Sequence, residues 1–180
     1  MVYTVSTVGE FISTIEPFKN LSPNTIQEIS AQFQPLKYDM GQIMLVKEKI
    51  PPYIAIIYEG QARCIAYDPR NSTPVSVQLI SNGSVIGWES LIRGFPCETA
   101  IASTPVVALT LERDKFLDLL KKHPSLKEYY QNQVGLIEIF ELLGQQLLQR
   151  ATGEGNLKEL VKDTIIDSQV CNLSAGKARQ

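Results

Sequence analysis

The apolar positions change period twice along the chain. Residues 10–34 read as helical: Glu10-Phe-Ile-Ser-Thr-Ile-Glu precedes Pro17-Phe-Lys-Asn-Leu, and Ser22-Pro23 supplies an N-cap and a first-turn proline. Ile26, Ile29 and Phe33 follow at spacings of three and four, so they share one face, which is expected to cap a core built by later segments. From Tyr38 the pattern becomes short β-like runs, at residues 42–47, 53–59, 61–67, 75–80, 99–103 and 106–111. Gly41, Pro51-Pro52, Gly60, the polar stretch 68–74 and Ser81-Asn-Gly83 lie between them as turn residues. Short strands at this spacing predict an antiparallel roll or barrel.

Helical spacing returns near Asp114. Phe116, Leu117, Leu119 and Leu120 mark one helix, which His123-Pro124 interrupts because proline cannot continue the backbone ladder. A longer helix is expected over residues 125–150. Its apolar residues, from Val134 through Leu136, Ile137, Ile139, Phe140, Leu142, Leu143 and Leu147 to Leu148, fill more than one stripe. Such a helix outside a small roll is expected to touch both the roll and a partner helix, making a homodimer; the alternative is that it folds back wholly onto its own domain. Thr152-Gly-Glu-Gly-Asn breaks the pattern, residues 157–166 suit one more short amphipathic helix, and residues 170–180 start like a strand with nothing to pair it. The expected division is a domain over 10–150, then 151–180 as a linker helix and the start of a further, truncated domain within a larger chain.

Composition narrows the chemistry. A chain of 180 residues, 44% hydrophobic, suits one globular domain with appendages and needs no disulfide or metal to hold its core. Lys and Arg number 17 against 19 Asp and Glu, a net charge of −2, so a duplex-binding surface is not expected and nucleic acid is not a predicted partner. One histidine, His123, and three separated cysteines, Cys64, Cys97 and Cys171, give no metal-ligand spacing and no His-based triad. A cupin-type enzyme on a similar roll needs clustered histidines, so no catalytic or metal-binding residues are assigned and no enzyme is expected in this chain. The N-terminus has no basic and apolar signal segment, and no run approaches the ~18 apolar residues of a membrane span, so the expectation is a cytoplasmic chain whose thiols serve as small hydrophobes.

The layout of helices, β-roll, small helix and long helix resembles the cyclic-nucleotide-binding domain of catabolite-activator-type regulators and of kinase regulatory subunits. The residues that carry the likeness run in order: Phe18, Leu21 and Ser22 with Ile26, Ile29 and Phe33; Tyr38, Gly41, Gln42, Met44, Lys47 and Glu48; Tyr53-Ile-Ala-Ile-Ile-Tyr-Glu-Gly60-Gln-Ala-Arg; Asn82-Gly83-Ser-Val-Ile-Gly87; then Ala102, Leu109, Leu111, Phe116, Leu120 and Pro124. The resemblance implies a mainly β fold with flanking helices: an antiparallel β-roll, jelly-roll-like (a double-stranded β-helix), with N-terminal helices and a long C-terminal helix.

It also implies a ligand site. The family's phosphate cassette is similar to Gly87-Trp88-Glu89-Ser90-Leu91-Ile92-Arg93-Gly94-Phe95-Pro96-Cys97-Glu98-Thr99-Ala100, with Gly87, Ser90, Leu91, Pro96 and Thr99 matching. In such a cassette a glycine lets the backbone approach the ligand and the amides of a short helix face an anion. Two positions depart. Cys97 stands where the resemblance places the arginine that pairs with the cyclic phosphate, a loss of roughly 1.5–3 kcal/mol, and Glu98 beside it would repel a phosphate. Trp88 stands where it places the glutamate that accepts a ribose hydroxyl; an indole offers only an N–H donor and a ring able to fill the pocket. Glu89 replaces that contact only through a one-residue shift. Arg93 and Arg63 are the cations available to substitute, each either turned inward or, as is commoner for arginine, solvated.

The reading is therefore a non-catalytic regulatory or sensory domain with a degenerate cassette that does not bind cyclic AMP or GMP in the usual way. No cofactor is assigned; a cyclic nucleotide or another small anion is the only ligand the resemblance offers. The alternative is the ligand-binding part of a catabolite-activator-type transcription regulator without its DNA-binding domain, since no recognition helix is legible after Arg150. Segments beginning at Phe33, Ile57 and Ser90 are also similar to the N-terminal domain of bacterial ABC exporters that carry a peptidase domain, which implies regulation of a secretion machine.

Overall fold

The computed structural model describes residues 4–68 and 71–151. The expected elements at 157–166 and 170–180 lie outside the described residues. Helix α1 (Val5–Ile12), a 3-10 turn (Phe18–Asn20) and α2 (Pro23–Ser30) form the N-terminal layer. Ser22 caps α2 as its sequence position suggests, its hydroxyl accepting from the Thr25 amide at 3.2 Å ahead of Pro23 in the first turn. The region 10–34 is thus three short pieces, and its last residue begins a strand.

Eight strands follow: β1 (Gln34–Tyr38), β2 (Ile43–Leu45), β3 (Tyr53–Glu59), β4 (Ala62–Tyr67), β5 (Pro74–Ile80), β6 (Val85–Ile86), β7 (Thr99–Ala102) and β8 (Val106–Glu112). They form two antiparallel sheets, ordered β1-β8-β3-β6 and β2-β7-β4-β5. β1 and β6 are absent from the sequence pattern for physical reasons. β1 is an edge strand, which tolerates Pro35, and all but Tyr38 of it is exposed, so no apolar alternation marks it. β6 has two residues, too few to show a period.

The apolar run in β3 is buried on both faces, as an uninterrupted run should be. Ile54 and Ile56 turn outward to the helices, while Ala55 and Ile57 turn into the roll. β8 repeats the division, with Leu109 and Leu111 toward the helices and Val106 and Ala108 inside. Ala55, Ala62, Ala66, Ala100, Ala102 and Ala108 make the inner surface of the roll mostly small side chains. The outer core is larger: Val8 and Ile12 of α1, Ile26 and Ile29 of α2, and Phe116, Leu119 and Leu120 of α4 (Arg113–Lys122) converge on β3 and β8.

The helix expected over 125–150 is two. α5 (Pro124–Gln131) ends at Asn132, and after Gly135 the chain starts α6 (Leu136–Ala151). The break lets α6 lie across β4 and β5, burying Ile137 to 4% exposure and half-burying Phe140. Its other face keeps Leu136, Ile139, Leu142, Leu143 and Leu147 exposed. One stripe therefore folds back and another faces out, as the double stripe suggested.

Because Ile56 is fully buried between β3 and the helices, Ile56→Ala should lower stability by about 2–5 kcal/mol in urea denaturation. Leu79→Ala, on an exposed face of β5, should stay within about 0.5 kcal/mol of the parent.

Candidate functional site

A short helix, α3 (Trp88–Arg93), begins directly after β6. Gly87 caps it with φ +87°, and a Cβ there would approach the Tyr53 carbonyl oxygen to 2.8 Å. Only glycine fits both the left-handed backbone and the close pass against β3. The first amide of this turn is already occupied: Gly87 N–H donates to Oε1 of Glu98 at 2.7 Å. The chain's own carboxylate thus sits on the amide that opens the cassette, just ahead of the amides near residues 89–91 that the resemblance turns toward an anion.

A cavity of about 270 Å³ lies beside this turn, bounded by β4, β5, α3 and the start of α6. Trp88, Glu89 and Glu98 line it, with Cys64, Gln78 and Gly135, and no lining residue is a cation. Both carboxylates are nearly buried, at 7% and 5% exposure, and Glu89 Oε2 has no hydrogen-bond partner. Burial, followed by the charge of Glu138, pushes Glu89 up to about 7; burial and the charge of Glu89 push Glu98 up to about 8, against the opposing Gly87 hydrogen bond. Trp88 does not fill the cavity. Its ring lines one wall and leans on Tyr130 of α5, centroids 5.2 Å apart.

Arg93 is neither solvated nor available to an anion. Its Nε and Nη2 donate to the two oxygens of Glu138 at 2.7 and 3.2 Å, and Nη2 also donates to the Gln133 carbonyl at 2.9 Å. Lys47 pairs with Glu141 one turn further along α6. An exposed ion pair contributes about 0.2–1 kcal/mol, and the Arg93 fork, bidentate and mostly buried, belongs at or above the top of that range. Together they clamp α6 over the cavity. Gly135 completes the fit, because a Cβ there would run into the Glu89 carboxylate. Arg63 points out to solvent on β4.

Residues 35–123 match the family described as the cyclic nucleotide-binding domain. Over that stretch, just under half of the chain, the sequence follows that family's pattern. Among solved structures, it is similar to the regulatory domain of Toxoplasma gondii PKA with cAMP, with TM-score 0.60 and 19% identity over 67% of this chain and 49% of that one. It is also similar to the regulatory subunit of a cAMP-independent protein kinase A from Trypanosoma cruzi bound to guanosine, with TM-score 0.67 and 17% identity over 82% of this chain and 50% of that one. At these identities the likeness concerns the fold, an antiparallel roll with flanking helices. Acetyltransferase Pat of Mycolicibacterium smegmatis is 26% identical over 110 residues, which is 61% of this chain and 32% of that protein.

Within this cyclic nucleotide-binding-type domain the cassette residues divide into three groups. Gly87, Trp88, Glu89 and Glu98 meet at the cavity. Ser90, Leu91 and Thr99 hold the loop: the Ser90 hydroxyl accepts from the Cys97 amide at 3.0 Å, Thr99 accepts from the Lys47 amide at 3.1 Å, and Leu91 joins the outer core. Pro96 and Cys97 line a separate groove against α6, and burial pushes the Cys97 thiol up to about 11, leaving it an inert thiol. Glu89 faces the cavity without a register shift. Gly135, just ahead of α6, Ile137 of α6 and Gln78 of β5 are cavity residues that the sequence reading missed. The turn residues Asn132 and Gly135 inside an apolar helical run were the available signal for the first two.

The raised carboxyls fix a pH dependence. Between the ordinary carboxylate range and pH 8 the folded domain holds protons that the unfolded chain has released, so stability should fall as pH rises from about 5 to about 8. Glu138, held below its ordinary value by Arg93, acts oppositely and at lower pH. Urea melts across this window should show the decline, and Glu98→Gln, with an uncharged acceptor for Gly87, should flatten it and gain on the order of 1 kcal/mol at pH 8.

Proposed function

We propose that this domain is a non-catalytic regulatory module of a larger protein and does not bind cyclic AMP or GMP in the usual way. The observation that carries the reading is the Glu98 carboxylate on the Gly87 amide, in an acidic cavity with no lining cation. A cyclic phosphate entering here would displace a buried carboxylate and then face two acids, with Cys97 offering no compensating charge. Arg93, the cation within the cassette, is engaged by Glu138. The fold itself tolerates such a change of ligand chemistry, since the similar Trypanosoma cruzi subunit is described as cAMP-independent and bound to guanosine.

The finer reading, resting on the similar segments at Phe33, Ile57 and Ser90, is regulation or cargo recruitment in a peptidase-containing ABC exporter. On that reading the coding frame after Gln180 continues into a cysteine-peptidase motif and later a Walker lysine; a frame without them removes the exporter and leaves the regulatory module standing. That the acetyltransferase relative is matched over 32% of its length supports the domain's use as one part of a longer chain.

Isothermal calorimetry with cyclic AMP and cyclic GMP tests the core of the proposal. The expected result is no saturable heat at ligand concentrations up to about 1 mM, whereas a dissociation constant of micromolar or tighter contradicts it.

A further inference from the structure

We propose that the cavity between α3, β4, β5 and α6 binds a small organic cation rich in N–H donors, a protonated amine or guanidinium, gripped by Glu89 and Glu98 against the Trp88 ring. The inference rests on the reading that the cassette no longer serves a cyclic phosphate, and it assigns the cavity an occupant of opposite charge.

Three observations converge on that chemistry. Glu89 is 7% exposed, lines the cavity, and its Oε2 lacks any hydrogen-bond partner. An unpaired buried polar atom costs about 1–3 kcal/mol, so a donor brought by a ligand recovers that cost. Glu98, at 5% exposure, supplies a second carboxylate on the same cavity, with no lining cation to balance the pair. Trp88 adds an aromatic wall, and an indole face is the strongest of the side-chain partners for a cation. The remaining polar rim, Gln78 and Ser84, is uncharged.

Size limits the ligand. About 270 Å³ corresponds to roughly nine water volumes, which suits a molecule of about that many heavy atoms and lies just below ordinary drug-sized sites. Arg93 does not compete for the acids, being tied to Glu138 and the Gln133 carbonyl. Gly135 and Ile137 form the outer wall, so an occupant touches the start of α6, and the Arg93–Glu138 pair keeps that wall in place.

Trp88 is the only tryptophan in the chain and lines both this cavity and a second recess with Glu16, Tyr129 and Gln133, so its fluorescence reports on the two together and the Glu89 and Glu98 variants assign the response to this cavity. The test titrates the full chain at about pH 8.5, above the raised values of both acids so that the pair is ionised, with agmatine and with tyramine, using pentylurea as a neutral control of similar length. A saturable change with both amines at submillimolar concentration and none with pentylurea is expected. Glu89→Gln and Glu98→Gln should each weaken agmatine roughly tenfold or more while melting cooperatively. Gln78→Lys, which tethers an ammonium at the rim, should block agmatine and raise the melting temperature. No saturation by about 10 mM of either amine, an equal response to pentylurea, or undiminished binding in both folded Gln variants overturns the proposal. If either Gln variant fails to fold, the Gln78→Lys result decides: unchanged agmatine binding overturns the proposal. Cyclic AMP in the same assay separates the two readings. Saturation by cyclic AMP defeats the reading beneath, that the cassette no longer serves a cyclic phosphate, whereas silence from cyclic AMP and the amines together defeats the cation site alone.

Discussion

One backbone donor and one carboxylate organise this site. The turn from β6 into α3 must leave an amide facing the roll, because Gly87 passes too close to β3 to rotate away. A buried N–H has to be satisfied, and the partner is Glu98, eleven residues later, rather than anything from outside. That choice propagates. It brings a second acid into a cavity that already holds Glu89, and two buried carboxylates in one space hold protons near neutrality. It also sets the loop from Gly94 to Thr99, whose amide at Cys97 is tied to Ser90 and whose Thr99 hydroxyl is tied to Lys47.

The second constraint is the position of α6. A helix continued straight from α5 would leave the cavity open and the inward stripe at Ile137 and Phe140 exposed. The break after Asn132 reverses that, and two ion pairs from the roll, Arg93 with Glu138 and Lys47 with Glu141, fix the result. Cavity, cassette loop and C-terminal helix are therefore one mechanical unit. A change in the charge or contents of the cavity acts directly on Gly135 and Ile137, and through them on the helix whose other face carries exposed leucines. On the proposed regulatory reading, this contact is the route from the cavity to the exposed face of the helix.

How far the sequence reveals this depends on whether local or tertiary forces decide each feature. Ser22-Pro23 and the run at β3 are legible because capping and two-sided burial act on neighbouring residues. The turn at Gly87 is legible because a positive φ restricts residue choice. β1 escapes because an edge strand with Pro35 carries no pattern, and the split of α5 from α6 escapes because apolar residues continue on both sides of it. At the site, the departures at Trp88 and Cys97 are visible, but their consequence is not. Glu98 reads as a charge that would repel a ligand, while in the fold it accepts the Gly87 amide. Arg93 reads as either solvated or inward, and its actual partner lies 45 residues away on a helix whose position only the packing determines.

The account stands on the Glu98–Gly87 contact, and the Gly87 amide resonance reads it directly. In a pH titration followed by ¹⁵N–¹H correlation spectra, that resonance should move with an apparent midpoint near the raised Glu98 value of about 8, and the movement should vanish in Glu98→Gln. A Gly87 amide that ignores pH in the parent protein and shifts on addition of cyclic AMP would contradict the account at its root.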